Sequence, residues 1–378
     1  MEIIFWPSIF IILYCYLGYP LILSILGIFL KKEIKKAENT PFISLLIPVY
    51  NEEKIIQKKI ENSLNLDYPK NKLEIIVASE SDDKTNEIVK KYRNKGVKLF
   101  VYLGREGKDY TVYRTIPKCQ GEIIVLTDAN GIFEKDALKK LVRNFNDPLI
   151  GCVSGELKYI NPQKKSIGEG EGLYWKYEIF IKKLENKNQS VLGANGSIYA
   201  LRKKLYSPLS EYRGGDFDLP IKVAQQGYGV VWEPEAISRE EVSSTAKKEF
   251  ERKIRIIAWT WRSALTLLKD SFKKNQPLLV FQLISHKILR WLVGFFLVFI
   301  FLSNIFLLQN NSFYLILFIS QIIFYSLAIF GCLLDISGRK LNKLINLAYY
   351  FCMVNVAALI GVIEGMLGKQ KPTWKKVR

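Results

Sequence analysis

A carboxylate and an amide follow one of the most apolar segments of this sequence. The stretch IIVLTDANG places Asp128 and Asn130 directly after a run that is typical of a buried strand. A carboxylate at a strand end could hold a divalent cation or a ribose hydroxyl, or it could simply form a turn. The position two residues after Asp128, where a second carboxylate could share a cation, is an asparagine. The residues alone therefore leave open whether this is a metal site or an ordinary strand end.

Two further stretches combine charge with the start of a helix. Gly107 and Lys108 open a helical pattern, and both a helix N-terminus and a lysine suit a phosphate group, although a solvated lysine gives the same pattern. Asp216 and Asp218 follow two glycines, where one carboxylate could act as a general base or only cap the helix. The only histidine, His286, lies beside basic residues where the chain enters an apolar segment, and we expect no catalytic role for it.

Strands and helices alternate around these stretches. Four apolar runs have the composition of strands that are covered on both faces, and they lie in residues 43–53, 73–79, 97–102 and 122–127. Helical patterns occupy residues 52–65, 84–95 and about 108–119. This alternation predicts an α/β unit with a doubly wound parallel sheet. Because ligands bind at the carboxyl ends of such strands, PVYNE, ASESDDKT, GREGK and TDAN should meet at one edge.

A second, less regular part follows this unit. Strand patterns lie in residues 151–157, 191–203 and the end of 214–236, and a long amphipathic helix is predicted for residues 168–188. Residues 247–265 form a basic helical pattern with tryptophans, which could bind a ligand or lie on a membrane surface.

Long uncharged runs at both ends of the chain predict membrane helices, because a span needs about 20 apolar residues. Lysines follow the first run directly, which favours a cytoplasmic location for the domain after it. The predicted organisation has an N-terminal transmembrane helix (1–32), a cytosolic domain (41–270), an interfacial helix (277–290), two transmembrane helices (291–334) and a final part (344–378). That final part comprises a membrane-associated helix, either interfacial or a fourth span, and a basic cytosolic tail.

The charge balance limits the classes of partner. The formal net charge is +19, with 55 basic and 36 acidic residues. Attraction to anionic lipids and capture of a phosphate-bearing substrate explain this excess, whereas no nucleic-acid-binding motif is present. The five cysteines form no Cys-x-x-Cys pair, so we expect free thiols in a reducing compartment.

Taken in their order along the chain, these motifs resemble those of family 2 glycosyltransferases. These are inverting enzymes with a GT-A (Rossmann-like) fold, and the resemblance is to the membrane-embedded branch that includes cellulose, hyaluronan and poly-N-acetylglucosamine synthases. It covers residues 41–270 well and the membrane part more loosely. It implies transfer of a sugar from a nucleotide-diphosphate donor, expected to be a UDP-sugar, to a hydroxyl of a glycan or lipid-linked acceptor. The expected setting is cell-surface polysaccharide or glycolipid synthesis at the plasma membrane, by a multi-pass protein with a cytoplasmic catalytic domain.

The resemblance also implies roles for individual residues. Asp216 would be the catalytic base, and a divalent cation (Mg²⁺ or Mn²⁺) would be held by Asp128 and Asn130. The residues implied in binding the donor nucleotide are Pro48, Tyr50, Glu52, Ser79, Asp83, Lys108, Asp128 and Arg255. Those implied in binding the sugar or the acceptor are Asn195, Gly196, Arg252 and Trp259.

Several positions depart from the family pattern, among them Arg252 in place of a glutamine, Ile256 in place of a tryptophan, and three in the loops near the donor. Ser79 replaces the usual first aspartate of the base-contact loop, Tyr113 replaces an asparagine, and Asn130 replaces the third residue of the Asp-x-Asp motif. These departures motivate a second hypothesis, a catalytically impaired scaffold that binds a nucleotide sugar in a membrane polysaccharide assembly. The sequence also leaves open a monomer that adds one sugar and a homo-oligomer that forms a pore.

Overall fold

An eight-stranded mixed sheet forms the centre of the domain between the membrane helices. The computed structural model describes residues 1–160, 166–208, 215–241, 245–339 and 341–368, and only the backbone of residues 166–173. The strands are β1 (Ile43–Val49), β2 (Leu73–Ser79), β3 (Val97–Val101), β4 (Ile123–Leu126), β5 (Ile132–Phe133), β6 (Ile150–Ile160), β7 (Tyr199–Arg202) and β8 (Gly229–Glu241).

The strand order is β3-β2-β1-β4-β7-β6-β8-β5. The first four strands are parallel, as predicted. Beyond β4, where the sequence predicted less regular strands without a direction, the sheet is mixed: β7 runs antiparallel to both β4 and β6, and β5 runs antiparallel to β8. The hydrophobic pattern of the four residues of β7 does not indicate in which direction the strand runs.

Helices cover both faces of this sheet and continue beyond it. They are α1 (Glu2–Leu13), α2 (Tyr19–Phe29), α3 (Ile56–Leu64), α4 (Thr85–Lys90), α5 (Lys108–Thr115), α6 (Ala137–Val142), α7 (Ser166–Asn186), α8 (Gly215–Ala224), α9 (Ala246–Lys273), α10 (Pro277–Gln282), α11 (Leu289–Leu307), α12 (Ser312–Ile336) and α13 (Lys343–Leu367). Helix α5 begins where expected, after Gly107, whose φ of 100° a larger residue rarely adopts.

The continuous apolar runs of the strands are explained by two separate cores. Leu45 and Ile47 of β1 face one core, whereas Leu46 between them faces the other. Each of these side chains is fully buried, which stabilises the fold by about 1.5–3 kcal/mol per residue. Alternation places consecutive residues on opposite faces, so a strand that is covered on both sides must be apolar throughout.

Four helical segments are long and apolar enough to cross a membrane, at Glu2–Phe29, Pro277–Leu307, Ser312–Ile336 and Lys343–Leu367. The first joins α1 to α2, and the second joins α10 to α11, each through one wide π-helical turn. Residues 277–290, which we expected as a separate interfacial helix, therefore continue without a break into the following helix. The basic tail, at residues 369–378, lies outside the described residues.

The single histidine connects α2, α7 and the π-helical turn before α11. Nδ1 of His286 lies 2.7 Å from the Glu185 carboxylate of α7, and its Nε2 lies 3.5 Å from the carboxylate of Glu178. The Tyr19 hydroxyl of α2 donates to the same Glu185 carboxylate at 2.7 Å. His286 is thus part of a buried polar junction. All five cysteines are free thiols, in agreement with the sequence analysis.

Candidate active site

Three charged side chains surround Gly196. A Cβ atom placed on this glycine would lie 2.8 Å from Oδ2 of Asp216, 3.4 Å from Oδ2 of Asp128 and 3.5 Å from Nζ of Lys108. The three come from the first turn of α8, the loop after β4 and the first residue of α5. Residues from four distant parts of the sequence, all expected at the site, are thus brought within a few ångströms of one point.

Lys108 and Asp128 form an ion pair at the centre of this cluster. The ammonium donates a hydrogen bond to Oδ1 of Asp128. Burial lowers the pKa of Lys108, but the carboxylates of Asp128 and Asp216 outweigh burial and raise the pKa above its ordinary value. Lys108 therefore remains charged at neutral pH, and its positive charge lies between the two carboxylates.

Asp216 has the environment of a general base. Burial raises the pKa of its carboxyl group, Lys108 lowers it, and Asp128 raises it further, with a net upward shift. Its backbone carbonyl accepts a hydrogen bond from the Ala194 amide at 2.7 Å. The Gly215 amide, one residue earlier, donates to Oδ1 of Asp109 at 3.2 Å. These bonds fix the start of α8, so the carboxylate of Asp216 is held beside Gly196.

Asp218, the second carboxylate of this motif, has a different environment. It is 4% exposed, and burial raises its pKa well above the ordinary value, although Ser263 of α9 donates a hydrogen bond to it. Burial thus favours the neutral form of this carboxyl group. Asp216, and not Asp218, is the carboxylate that lies beside Gly196; the preceding Gly214 is outside the described residues.

Asn130 supplies an oxygen atom that fits a cation. Its amide oxygen, Oδ1, is buried without a hydrogen-bond partner among the described residues. A buried polar atom without a partner is costly and calls for an explanation. The described residues contain no group of three His, Cys, Asp or Glu side chains that could hold a metal. The side-chain oxygens of Asp128 and Asn130 would therefore leave most of an ion's coordination to phosphate oxygens or water.

The loops expected at the donor nucleotide lie after β1 and β2. The Arg105 guanidinium lies 4.3 Å from the centre of the Tyr50 ring. The Glu52 amide donates to the Thr85 hydroxyl at 2.8 Å, which joins the two loops. An aromatic ring covered by a cation could bind a nucleobase and its phosphates from one side.

Three of the residues expected at the nucleotide have structural contacts instead of open surfaces. Ser79 is fully buried, and its hydroxyl accepts a hydrogen bond from the Ser81 amide at 3.1 Å. Pro48 is buried inside β1. Asp83 accepts the Thr85 amide at 2.9 Å at the start of α4. The structure therefore does not bring Ser79 to the surface where a base contact was expected.

Asn195 likewise directs its amide group into the domain. Its Nδ2 donates to the Gly155 carbonyl at 2.7 Å, and its Oδ1 accepts from Lys182 at 3.3 Å. Its side chain is thus engaged away from the charged cluster, whereas its neighbour Gly196 lies in the middle of it. Of these two residues, Gly196 is the one that lies close to the charged cluster.

Helix α9 brings basic residues to the same region. Arg252 forms two hydrogen bonds with Glu249, at 2.7 and 2.9 Å. Burial and the charge of Arg252 lower the pKa of Arg255, while the carboxylate of Asp128 opposes this shift. Arg255 is therefore within electrostatic reach of Asp128. Trp259 is partly buried one turn further along, on the same helix face.

Sequence reasoning missed three polar residues at this site. Glu80 accepts the Gly107 amide at 2.9 Å, and Asp109 accepts the amide of Gly215. Lys59 of α3 is fully buried behind the loop that contains Asp128. Only Lys59 left a signal, because a lysine lies between Ile56 and Ile60 on the apolar face of its helix.

We expect Gly196→Ala to reduce activity strongly while the protein still folds. The added methyl would lie 2.8 Å from the Asp216 carboxylate and must displace it. A misplacement of about 1 Å can cost about a hundredfold in rate. Steady-state kinetics with a thermal melt would measure both effects, and wild-type kcat in this variant would contradict the central position of Gly196.

Comparisons with known proteins agree with this architecture. The family model described as "Glycosyl transferase family 2" matches residues 44–209. The "Probable glycosyltransferase YdaM" of Bacillus subtilis is 26% identical over 89% of this chain and 86% of its own length. A poly-beta-1,6-N-acetyl-D-glucosamine synthase of Staphylococcus epidermidis is 26% identical over 88% of this chain and 86% of its own length.

A solved structure shares the fold over nearly the whole chain. The mannosyltransferase PcManGT from Pyrobaculum calidifontis, in complex with GDP-Man and Mn²⁺, has a TM-score of 0.68 and 20% identity, with 96% of this chain and 99% of that chain covered. This likeness confirms the predicted GT-A fold with helices at both ends. The apolar helices at these ends are those of a membrane protein. Residues 44–209 of the chain match glycosyl transferase family 2, and the chain is a glycosyltransferase.

Proposed function

We propose that this protein transfers a sugar, with inversion, from a nucleotide-diphosphate donor to a hydroxyl group of a glycan or lipid-linked acceptor. The observation that carries this proposal is the position of Asp216, Asp128 and Lys108 around Gly196. The synthase relative supports a role in cell-surface polysaccharide or glycolipid synthesis. The structural neighbour supports a nucleotide-sugar donor; a UDP-sugar is our first candidate, and a GDP-sugar belongs in the same test.

The reaction needs a base for the proton of the acceptor and positive charge for the leaving diphosphate. When the acceptor hydroxyl attacks the anomeric carbon, its proton passes to Oδ2 of Asp216. At the same time, the bond to the diphosphate breaks and negative charge develops on the leaving group. Lys108 lies close enough to stabilise that charge, and Arg255 would add a second positive charge. The raised pKa of Asp216 suits a base, because it strengthens the affinity of the carboxylate for a proton.

A divalent cation would be held by Asp128 and Asn130. When bound, it would supply positive charge to the diphosphate. In the structure, Lys108 holds Oδ1 of Asp128, so a cation there would compete with the ammonium for the same carboxylate. The buried amide oxygen of Asn130 and the Mn²⁺ in the structural neighbour support this assignment.

Asn130→Asp should bind Mn²⁺ about tenfold more tightly, because a second carboxylate adds a charged ligand. Activity should be retained, with its cation requirement met at lower Mn²⁺ concentration. Electron paramagnetic resonance of free Mn²⁺ measures the affinity directly. An unchanged affinity would mean that residue 130 is not a ligand of the cation.

The competing hypothesis is a scaffold that binds a nucleotide sugar without transferring it. It is motivated by Ser79, Tyr113 and Asn130, and the clustered Lys108 and Asp216 argue against it. Purified protein incubated with labelled UDP- and GDP-sugars, with Mn²⁺ or Mg²⁺ and membrane lipids, separates the two. We expect transfer or slow hydrolysis of one donor. Binding of a donor without either reaction would favour the scaffold.

We propose that the domain faces the cytoplasm of a multi-pass plasma-membrane protein and that α13 lies in the membrane interface. Contacts along α13 support this placement. Tyr350 clusters with Ala246 at the start of α9, and the Gly365 carbonyl near the end of α13 accepts from Nε of Arg262 at 3.0 Å. Because charged α9 accompanies α13 at both points, we expect α13 to stay on the side of the membrane on which the domain lies.

A tag after residue 378 should therefore be protected in sealed right-side-out vesicles and become accessible to protease after permeabilisation. A tag inserted in residues 309–311, between α11 and α12, is the matched control and should be accessible without permeabilisation. A C-terminal tag that is digested in intact vesicles would contradict the interfacial placement and favour four spans.

A further inference from the structure

A buried lysine holds the loop that carries Asp128 and Asn130. We call residues 127–131 the cation loop. Lys59 of α3 is fully buried, and its ammonium donates to the Thr127 hydroxyl at 2.8 Å and to the Gly131 carbonyl. It also lies 4.1 Å from the centre of the Phe133 ring. One ammonium thus contacts both ends of the cation loop.

This arrangement is costly for the fold. Burial lowers the pKa of Lys59 to about 7, against the opposing effect of Asp128 and Glu240. Its hydrogen bonds go to a hydroxyl and a carbonyl, which compensate a buried ammonium less well than a carboxylate does. An apolar side chain of similar length would fit the apolar face of α3 at lower cost. A charged residue on the apolar face of a helix departs from the usual hydrophobic pattern, and such departures are typical of functional sites.

The contacts of Lys59 extend to the centre of the site. The Thr127 hydroxyl, which accepts from Lys59, donates to the Ser197 carbonyl at 2.7 Å. At the other end of the loop, a Cβ on Gly131 would lie 2.6 Å from Oγ of Ser197. Both ends of the cation loop are therefore closed against the residue after Gly196. A shift of Lys59 would change the separation between Asp128 and Gly196.

We propose that Lys59 is a positioning residue, which sets the cation loop at the distance from Gly196 that cation and diphosphate binding require. Lys59 touches neither the donor nor the cation; it acts through Thr127 and Gly131. This inference rests on the proposed function, because it assumes that Asp128 and Asn130 hold a divalent cation.

The test measures Mn²⁺ affinity by electron paramagnetic resonance, with purified full-length protein and with Mn²⁺ alone or with UDP or GDP. In Lys59→Met, we expect affinity to fall about 10–100-fold, as for other residues that orient metal ligands. Thr127→Val should show the same loss, and Thr127→Ser, which keeps the hydroxyl, should restore wild-type affinity. The comparison of Thr127→Val with Thr127→Ser tests the inference even if Lys59→Met does not fold.

Asn62→Ala is the matched control on the same helix. Asn62 exchanges two hydrogen bonds with the Phe133 backbone, at 2.8 and 2.9 Å, and should affect melting temperature but not Mn²⁺ affinity. If Lys59→Met and Thr127→Val melt earlier yet bind Mn²⁺ like wild type, Lys59 is only structural and the inference is overturned. If wild-type protein itself binds no Mn²⁺, the proposed cation site is wrong and the positioning role falls with it.

Discussion

Asp216→Asn is expected to abolish nearly all sugar transfer while leaving the fold intact. The amide has the shape of the carboxylate, but it cannot take up the proton of the attacking hydroxyl group. General-base catalysis typically increases the rate about 10²–10⁴-fold. The loss should appear in kcat, because the acceptor and donor can still bind. Steady-state kinetics with saturating donor, together with a thermal melt, measures the effect.

Asp218→Asn is the control, two residues away on the same helix. Burial raises the pKa of Asp218 well above its ordinary value, which favours the neutral carboxyl group, and an amide of the same shape should be tolerated. We therefore expect kcat close to wild type. Equal losses in both variants would mean that α8 had been disturbed as a whole, and a larger loss in Asp218→Asn would move the base to that residue.

Lys108→Met should have the second largest effect. It removes the positive charge between Asp128 and Asp216, and the loss of one donor at a developing negative charge costs about 10²–10³-fold in kcat. The pKa of Asp216 should also rise, because Lys108 lowers it in the wild type. The active form of a base is the deprotonated one, so the acid limb of the kcat profile should move to higher pH.

The control for this variant is Lys118→Met, just beyond the end of α5. Lys118 donates to the Tyr102 hydroxyl at 3.3 Å, and its ammonium lies over the rings of Phe100 and Tyr102. Its loss removes one positive charge from the same segment without affecting the site. If Lys108→Met retains wild-type kcat and an unshifted acid limb, the lysine does not act on the leaving group.

The cluster around Gly196 could be predicted because strand ends meet at one edge of a parallel sheet. Asp128 follows β4 and Lys108 follows β3, so both lie at the carboxyl edge of the sheet. Because β2 and β1 separate these strands, it is helix α5, packed on β1 and β2, that brings Lys108 to Asp128. Asp216 could be assigned only through family resemblance, because an aspartate after two glycines has no distinguishing local pattern. The structure then separates Asp216 from Asp218 by position, because Asp216 lies beside Gly196, and this position is a tertiary property.

Other features depended on contacts between distant segments. Ser79 and Asn195 occupy positions of family motifs, but the Ser79 hydroxyl accepts from the Ser81 amide and the Asn195 amide donates to the Gly155 carbonyl. A motif cannot reveal such contacts. The reversal at β7 follows from its insertion between β4 and β6, and no periodicity in four residues encodes it. Lys59 did leave a visible anomaly on an apolar helix face, yet its partners at Thr127 and Gly131 are about 70 positions away and become apparent only after folding.

The central claim is a single displacement in which Asp216 takes the proton of the attacking hydroxyl beside Gly196. Its most direct test is the anomeric configuration of the product, read from the proton NMR coupling of the transferred sugar with an α-linked nucleotide-sugar donor. The account predicts a β-linked product from the wild type and none from Asp216→Asn. An α-linked product, or a β-linked one formed at the wild-type rate without Asp216, would contradict it.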